Sequence, residues 1–227
     1  MKPFVKHFEK NTQGRDFAVG DIHGAFTRLE ETLTRIGFNK EVDRLFSVGD
    51  TPDRGTESHL AIDYIYEPWF HSCIGNHEQM AIDFAFGTGW PMSPMDYAAN
   101  GGAWNIANSL KERETIALAF QDLPLAMEVE TDQGLVGIIH AECPFDDWNK
   151  FKESDEDFSV RNVAMWERNR WYNEDRSNVA GLRALVVGHT PIEEFEVLGN
   201  VRYIDTMGWR PKGKFTVLDL STLEVVS

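Results

Sequence analysis

The chain has 227 residues, of which 42% are hydrophobic, and this length and composition predict one globular domain spanning residues 1–227. Its formal net charge of −15 argues against general nucleic-acid binding and against docking on anionic membranes, because affinity for arrays of phosphate groups comes from clustered Lys and Arg. No stretch approaches the roughly 20 apolar residues of a membrane span, and the N-terminus lacks the apolar core of a secretory signal, so we expect a cytoplasmic protein.

The first part of the chain alternates short apolar runs with segments of helical periodicity. Phe17-Ala18-Val19 predicts a buried strand, and Ala25 to Ile36 carries apolar residues at helical spacing. Arg44 to Val48 and Phe70 to Ile74 predict two further strands, with a helix from Ser58 to Tyr66 between them. This alternation indicates a parallel α/β layer, in which functional sites form beyond the carboxyl ends of the strands.

The remainder of the chain predicts a helical insertion followed by a hairpin and more strands. The insertion covers roughly residues 79–124. The acidic stretch from Asp146 to Asp157 predicts a solvated loop. Ala184 to Val187 is a dense apolar strand, and Val201 to Ile204 and Phe215 to Leu220 alternate well enough for two more.

Three glycine-bounded motifs follow the first three predicted strands. They are Gly20-Asp21-Ile22-His23-Gly24, Gly49-Asp50-Thr51-Pro52-Asp53-Arg54-Gly55 and Gly75-Asn76-His77-Glu78. Two more histidines, His140 and His189, stand at the ends of later predicted strands. Because these strand ends meet at one edge of the fold, we expect the polar side chains to converge there. Carboxylate, imidazole and amide ligands suit a pair of divalent metals, which is what hydrolysis of a phosphate ester needs.

The candidate metal ligands are polar side chains at strand ends: Asp21, His23, Asp50, Asn76, His140 and His189. The first two can reach one metal from a single loop, and Asp50 can bridge two metals through its two oxygens. The amide oxygen of Asn76 and the two later imidazoles can complete the second site. The predicted cofactor is therefore two divalent ions; manganese is favoured, and iron, zinc and magnesium fit the same mixed donor set.

Hydrolysis also needs a proton for the leaving oxygen and a positive charge for the phosphate. His77 is the candidate general acid, because it stands next to a ligand but is directed elsewhere. Asp53 is the carboxylate expected to orient the ring of His77 and to raise its pKa. Arg54 can fork onto phosphate oxygens and stabilise the developing negative charge.

In their order, these motifs resemble the metal-dependent phosphoprotein phosphatases of the calcineurin-like superfamily, and most closely the bacterial and phage serine/threonine phosphatases of the lambda type. The likeness covers nearly the whole chain and includes Asn100-Gly101-Gly102, Gly188-His189-Thr190-Pro191 and Tyr203-Ile204-Asp205-Thr206. It implies a central β-sandwich flanked by helices and an in-line attack by water activated between the metals, with His77 protonating the leaving alkoxide. It also implies Arg168 as a second phosphate contact, and a phosphorylated protein or small phosphate ester as substrate.

Two departures from that family pattern leave the substrate open. Ile74 stands where the family usually carries an Arg, so one guanidinium of the phosphate clamp is missing, and Arg210 is a candidate substitute. The C-terminal Asp-Thr-Gly of the family appears here as Asp205-Thr206-Met207-Gly208. Ile74 favours a symmetrically cleaving dinucleoside tetraphosphate hydrolase, whereas Asp53 favours the protein phosphatases. The same residues are also compatible with a broad small-molecule phosphatase and with a non-catalytic relic of the fold.

Overall fold

The computed structural model describes residues 4–88 and 92–227, and strands and helices alternate through most of these residues. The strands in chain order are β1 (Val5–Phe8), β2 (Asp16–Val19), β3 (Arg44–Ser47), β4 (Phe70–Ser72), β5 (Ala126–Thr131), β6 (Gly134–Ile139), β7 (Ala184–Val187), β8 (Glu196–Leu198), β9 (Val201–Tyr203) and β10 (Val217–Asp219). The helices are α1 (Phe26–Arg35), α2 (Ala61–Ile65), α3 (Asn76–Phe86), α4 (Pro94–Ala99), α5 (Ala103–Ile106), α6 (Leu110–Gln121), α7 (Trp148–Glu153), α8 (Phe158–Trp166) and α9 (Asn169–Tyr172).

The strands form two sheets whose orders, over the described ranges, are β1-β5-β6-β7-β9-β8 and β10-β2-β3-β4. In the smaller sheet β2, β3 and β4 run parallel, and β10 joins β2 in the antiparallel sense. In the larger sheet β6, β7 and β9 also run parallel. Consequently the carboxyl ends of the strands that carry the motifs share one side of each sheet.

Both faces of each sheet are buried, which makes the two sheets a central sandwich. Phe46, Ile138 and Val186 belong to a hydrophobic cluster drawn from both sheets. Leu45 and Leu185, one residue away along their strands, belong to a second cluster that includes the helices. Because side chains alternate along a strand, the first cluster fills the space between the sheets and the second packs the outer faces against helices. The predicted β-sandwich flanked by helices is confirmed.

The helical insertion after the third motif is also confirmed in its described part, where α3, α4, α5 and α6 follow one another. The prediction of a solvated loop from Asp146 to Asp157 is wrong. This stretch contains α7, which begins after Asp147 as N-cap and buries Trp148 and Phe151 on one side. The two aromatic side chains, three residues apart on the same helical face, outweigh the surrounding charge. In the part of the chain that is described, no helix has the length and hydrophobicity to span a bilayer.

A buried carboxylate on β5 fastens this helix to the larger sheet. Glu128 is 6% exposed and accepts hydrogen bonds from Trp148 Nε1 at 2.7 Å and from His7 Nδ1 at 3.0 Å. The ammonium group of Lys152 lies 3.0 Å from the same carboxylate. Burial alone would raise the pKa of Glu128, but these donors outweigh burial and hold the pKa below its ordinary value.

We expect Glu128→Gln to lower the free energy of unfolding by about 1–2 kcal/mol at pH 7, because the amide accepts more weakly from charged and buried donors. A depressed folded-state pKa gives stability that is present above the unfolded-state pKa of about 4.3 and is lost as pH falls through the folded-state value. Urea titrations of both proteins should therefore show the difference shrinking below about pH 4. A difference that stays constant down to about pH 3 would contradict this interpretation.

Candidate metal centre and phosphate site

The strand ends bring the predicted ligands together. Asp21 and His23 follow β2, Asp50 follows β3, and Asn76 begins α3 after β4. The remaining two ligands follow β6 and β7 in the other sheet. None of the six side chains is more than 5% exposed. The parallel strands of both sheets thus converge on one buried polar cluster, as the sequence predicts.

One group of donors surrounds His23. Its Nε2 lies 3.6 Å from Asp50 Oδ2 and 3.7 Å from Asp21 Oδ2. Its Nδ1 faces the carbonyl oxygen of Pro52 at 3.0 Å. That carbonyl accepts the Nδ1 proton, which leaves the Nε2 lone pair directed at the two carboxylates. The guanidinium of Arg54 lies 2.8 Å from the same Nε2, on the side of the ring that would face a cation.

A second group of donors surrounds His140. Its Nε2 lies 2.9 Å from Asn76 Oδ1, 3.1 Å from His189 Nδ1 and 3.4 Å from Asp50 Oδ1. Its Nδ1 faces the carbonyl oxygen of Val48 at 2.8 Å. His140 is therefore oriented like His23, by a backbone carbonyl behind the ring. Asp50 contributes one oxygen to each group, which is the geometry of a bridging ligand.

His189 is held in the opposite tautomer. Its Nε2 faces the carbonyl oxygen of Trp166 at 3.0 Å, so its Nδ1 lone pair faces the second group of donors. Its backbone has a φ of 62°, in the left-handed region, which aims the side chain inward at the end of β7. Each of the three imidazoles therefore directs a lone pair toward its donor group: His23 toward the first, and His140 and His189 toward the second.

The donor set fits divalent cations. Burial raises the pKa of Asp21 and of Asp50 well above the ordinary value, and the neighbouring carboxylates of Asp205 and Glu78, respectively, raise them further. A cation between these oxygens would restore the ionised forms. Carboxylate, imidazole and amide oxygen are ligands that manganese, iron, zinc and magnesium share. Two such ions can be held here by residues that already face one another.

His77 lies beside this cluster and pairs with Asp53. The two residues are 1% and 0% exposed, and His77 Nδ1 is 2.8 Å from Asp53 Oδ2. The predicted orienting carboxylate is thus in contact with the ring. The expected rise in the pKa of His77 is wrong, because burial lowers that pKa well below its ordinary value and the Arg54 guanidinium lowers it further. His77 Nε2 is 3.8 Å from Asp50 Oδ2, so distance alone does not distinguish an acid from a ligand.

The helical insertion supplies two partners of Asp53 that sequence reasoning missed. Trp104 Nε1 donates to Asp53 Oδ1 at 2.7 Å, and the hydroxyl of Tyr97 donates to the same oxygen at 3.4 Å. Burial raises the pKa of Asp53 to about 7, against the effect of these two hydrogen bonds. Trp104 follows the Asn-Gly-Gly motif closely, and that proximity is the signal in the sequence that points to it.

Arg54 lies against the first donor group and His77. Its guanidinium is 3.0 Å from His77 Nε2 and stacks on the Trp209 ring at 4.8 Å. Its backbone has a φ of 65° and donates to the carbonyl of Gly101 at 3.1 Å. A Cβ at Gly101, where φ is 101°, would lie 2.5 Å from the Arg54 nitrogen. The insertion therefore holds the Arg54 loop at a position that requires glycine.

The remaining predicted contacts occupy the rim of the site. Arg168 is half-buried, and its guanidinium donates to the carbonyl oxygen of His189 at 3.0 Å. Ile74 is 2% exposed and packs in the helix-facing hydrophobic cluster, so it brings no polar group to the phosphate. Arg210 is exposed, and its guanidinium lies 4.7 Å from the Trp209 ring. Trp209 itself packs edge-on against His23 at 5.1 Å, which sequence reasoning did not predict.

We expect Trp104→Phe to lower kcat about three- to tenfold, since it deletes one hydrogen bond that holds Asp53 and, through it, His77. The KM should change less than about twofold, because Trp104 contacts neither donor group. Trp69→Phe is the matched control: it also loses an indole hydrogen bond to a carboxylate, that of Glu67, but far from the site. Equal kcat values for the two variants would contradict the positioning role.

Comparisons with known proteins agree with this geometry. The family model described as calcineurin-like phosphoesterase matches residues 17–213. A relative from Salmonella typhimurium named serine/threonine-protein phosphatase 2 is 33% identical over 84% of this chain and 86% of its own length. The protein of the same name from Escherichia coli is also 33% identical, over 84% of this chain and 86% of its own length.

The chain also resembles proteins named tetraphosphatases, but this sequence similarity covers a smaller part of the chain. A Neisseria meningitidis protein named symmetrical bis(5'-nucleosyl)-tetraphosphatase is 34% identical over 33% of this chain and 28% of its own length. Among solved structures, one titled a putative diadenosine tetraphosphatase has the same fold, with a TM-score of 0.67 at 16% identity over 98% of this chain and 96% of its own. The motifs, the sandwich and the match across residues 17–213 establish that the chain belongs to the calcineurin-like phosphoesterase family.

Proposed function

We propose that this protein is a two-metal-dependent phosphomonoesterase that hydrolyses phosphoserine and phosphothreonine in proteins. The observation that carries the proposal is the pair of buried donor groups sharing Asp50, with the His77–Asp53 pair beside them. The relatives named serine/threonine-protein phosphatases, which match over most of the chain, support the substrate class.

Each donor group would hold one ion, with manganese proposed first and iron, zinc or magnesium compatible with the same donors. Asp21, His23 and Asp50 form the first group. Asp50 also joins the second, whose other members are Asn76, His140 and His189. Bound ions would polarise the phosphoryl group and lower the pKa of a water between them. The carbonyls behind the three imidazoles fix their rings and so fix the distance between the two sites.

The other residues act on the phosphate and on the leaving group. Arg54 and Arg168 would grip phosphoryl oxygens and stabilise the charge that develops on them. His77 would give a proton from Nε2 to the leaving alkoxide, because its Nδ1 is engaged by Asp53. Burial and the Arg54 guanidinium lower the pKa of His77, so this role requires the negative charge of a bound phosphate to favour the protonated ring. Trp104 would keep the Asp53 carboxylate in place.

The residue at position 74 favours a second function, the hydrolysis of dinucleoside polyphosphates. Ile74 removes the guanidinium that the phosphoprotein phosphatases usually carry before the third motif, and relatives named symmetrical tetraphosphatases match part of the chain. Hydrolysis of dinucleoside polyphosphates is therefore the second candidate. Asp53 and the likeness to the serine/threonine phosphatases over most of the chain favour the first function.

The deciding experiment is steady-state hydrolysis by metal-stripped protein reloaded with manganese. The substrates are a phosphothreonine peptide, diadenosine tetraphosphate and p-nitrophenyl phosphate, and His77→Asn is the control for contaminating activity. Highest kcat/KM on the peptide supports the proposal. Preference for the dinucleotide would make the tetraphosphatase assignment correct, and absence of turnover on all three would overturn the phosphatase proposal for these substrates.

Arg210 is proposed to replace the guanidinium that Ile74 removes. Its guanidinium lies 4.7 Å from the Trp209 ring, on which the Arg54 guanidinium also stacks, and this shared ring supports the proposal. We expect Arg210→Ala to raise KM for a phosphomonoester about three- to tenfold with kcat nearly unchanged. Lys212→Ala removes a nearby exposed charge and should leave KM unchanged. An unchanged KM in Arg210→Ala would contradict the replacement.

We also propose that residues 1–227 act as a single cytoplasmic domain, without nucleic-acid or membrane partners. Strand β10, near the C-terminus, pairs with β2, and β1 pairs with β5 across the insertion. Each sheet therefore needs strands from distant parts of the chain. Limited proteolysis should yield one resistant core, and cell fractionation tests the location.

A further inference from the structure

A buried carboxylate next to the donor groups has no assigned role. Asp205 follows β9 in the larger sheet and is 1% exposed. Its Oδ1 accepts a hydrogen bond from the backbone nitrogen of Met207 at 3.1 Å. Its Oδ2 is buried and, among the residues that the structure describes, has no hydrogen-bond donor within reach. A buried carboxylate oxygen without a partner is costly, so it indicates an absent positive or donating group.

The unpartnered oxygen belongs to a side chain that adjoins the first donor group. A Cβ on Gly20, the residue before Asp21, would lie 3.1 Å from the Cα of Asp205, which brings the two acidic residues side by side. The chain packs tightly here, since a Cβ on Gly20 would lie 2.3 Å from the carbonyl oxygen of Ile204. The guanidiniums of Arg54 and Arg210 do not donate to Asp205 Oδ2.

We propose that Asp205 is a further carboxylate of the metal centre, holding through Oδ2 the ion that Asp21 and His23 bind. The inference rests on the proposed function, because it presumes the two-metal site. That ion otherwise has three protein donors, one of which, Asp50, is shared with the second ion. A hard divalent cation takes about six ligands, so a fourth protein oxygen fits its coordination and adds negative charge.

The competing explanation is a structural one, in which Asp205 is a neutral acid that shares a proton with Asp21. Asparagine separates the two explanations. The amide of Asp205→Asn can donate to Asp21 as a protonated acid would, but it carries no charge for a cation. A structural role should therefore survive the substitution, whereas a role in holding metal should be weakened, because a neutral amide oxygen binds a divalent cation less tightly than a carboxylate does.

The test is titration of metal-stripped protein with manganese, in which isothermal calorimetry measures the affinity. Elemental analysis of the desalted protein then counts the bound ions. We expect wild type to bind two ions, and Asp205→Asn to bind one of them about 10- to 100-fold more weakly, as seen when groups around a metal site are lost. Asp16→Asn is the matched control, because it neutralises a buried carboxylate at the opposite end of β2, paired with Arg44.

The outcomes are distinguishable. Two ions bound by Asp205→Asn with wild-type affinity would overturn the inference and leave the proposed function intact. Wild-type protein that binds no pair of ions would instead overturn the proposed function. Should circular dichroism show that Asp205→Asn is unfolded, Asp205→Ser takes its place in the titration, since it leaves room for a water beside Asp21. Weaker binding of one ion by folded Asp205→Ser supports the inference, and unchanged binding overturns it.

Discussion

Replacing His77 with asparagine is expected to lower kcat for a phosphothreonine peptide by about 10²–10⁴-fold, the usual range for loss of a positioned general acid. Asparagine retains a polar group of similar reach near Asp53 but cannot release a proton to the leaving alkoxide. The loss should be much smaller with p-nitrophenyl phosphate, because nitrophenolate leaves without needing a proton. Steady-state kinetics on both substrates, with elemental analysis of bound manganese, measure the two effects.

His59→Asn is the control, because His59 is an exposed histidine away from the donor groups. It should leave both rates and the metal content unchanged. If His77→Asn lost equally on both substrates and also lost an ion, His77 would be a metal ligand. That result would follow from its 3.8 Å separation from Asp50 and would contradict the general-acid role.

The convergence of the predicted site residues was predictable because a strand end is a local feature. Gly49 and Gly75 mark two of the points where the chain leaves a strand, and a parallel arrangement sends such ends to one side. The sequence therefore identifies Asp50, Asn76 and His189 as neighbours although they are far apart in the chain. The position and direction of each strand are enough to infer which residues lie close together, without knowledge of side-chain conformations.

The partners that complete the site were not predictable in the same way. Trp104 reaches Asp53 across 51 positions, and its contact depends on how α5 docks over the second motif. The hydrophobic periodicity of the insertion does not predict how α5 is oriented over the second motif. Asp205 stands out in the sequence only as part of the segment that resembles the family, because the burial of one of its oxygens is visible only in the folded structure.

Burial also explains the two wrong expectations. A carboxylate beside His77 predicts a raised pKa, but the amount of solvent removed from the ring depends on the packed structure. Likewise the charge between Asp146 and Asp157 suggests exposure, whereas Trp148 and Phe151 turn one helical face inward. The acidic composition of this stretch does not reveal that two aromatic residues are enough to bury one face of α7.

The loops of the second and third motifs share a single buried carboxylate, that of Glu78. It is 0% exposed, and its Oε2 accepts from the backbone nitrogens of Gly75 at 2.8 Å and Asp50 at 3.0 Å. Its Oε1 accepts from both the nitrogen and the hydroxyl of Thr51, each at 2.7 Å. One side chain thus satisfies four donors and fixes the position of Asp50 relative to α3.

We expect Glu78→Gln to lower the free energy of unfolding by about 1–3 kcal/mol, because the amide nitrogen would replace one carboxylate oxygen and leave at least one buried backbone donor, such as the Thr51 nitrogen, unsatisfied. Urea denaturation followed by circular dichroism measures the loss. Glu112 is the matched control, since it occupies the same third helical position of a capping box but is exposed on α6. Glu112→Gln should cost below about 1 kcal/mol. Equal losses in the two variants would mean that Glu78 only caps α3, whereas a much larger loss at Glu78 would show that the metal-binding loops are held from beneath by this carboxylate.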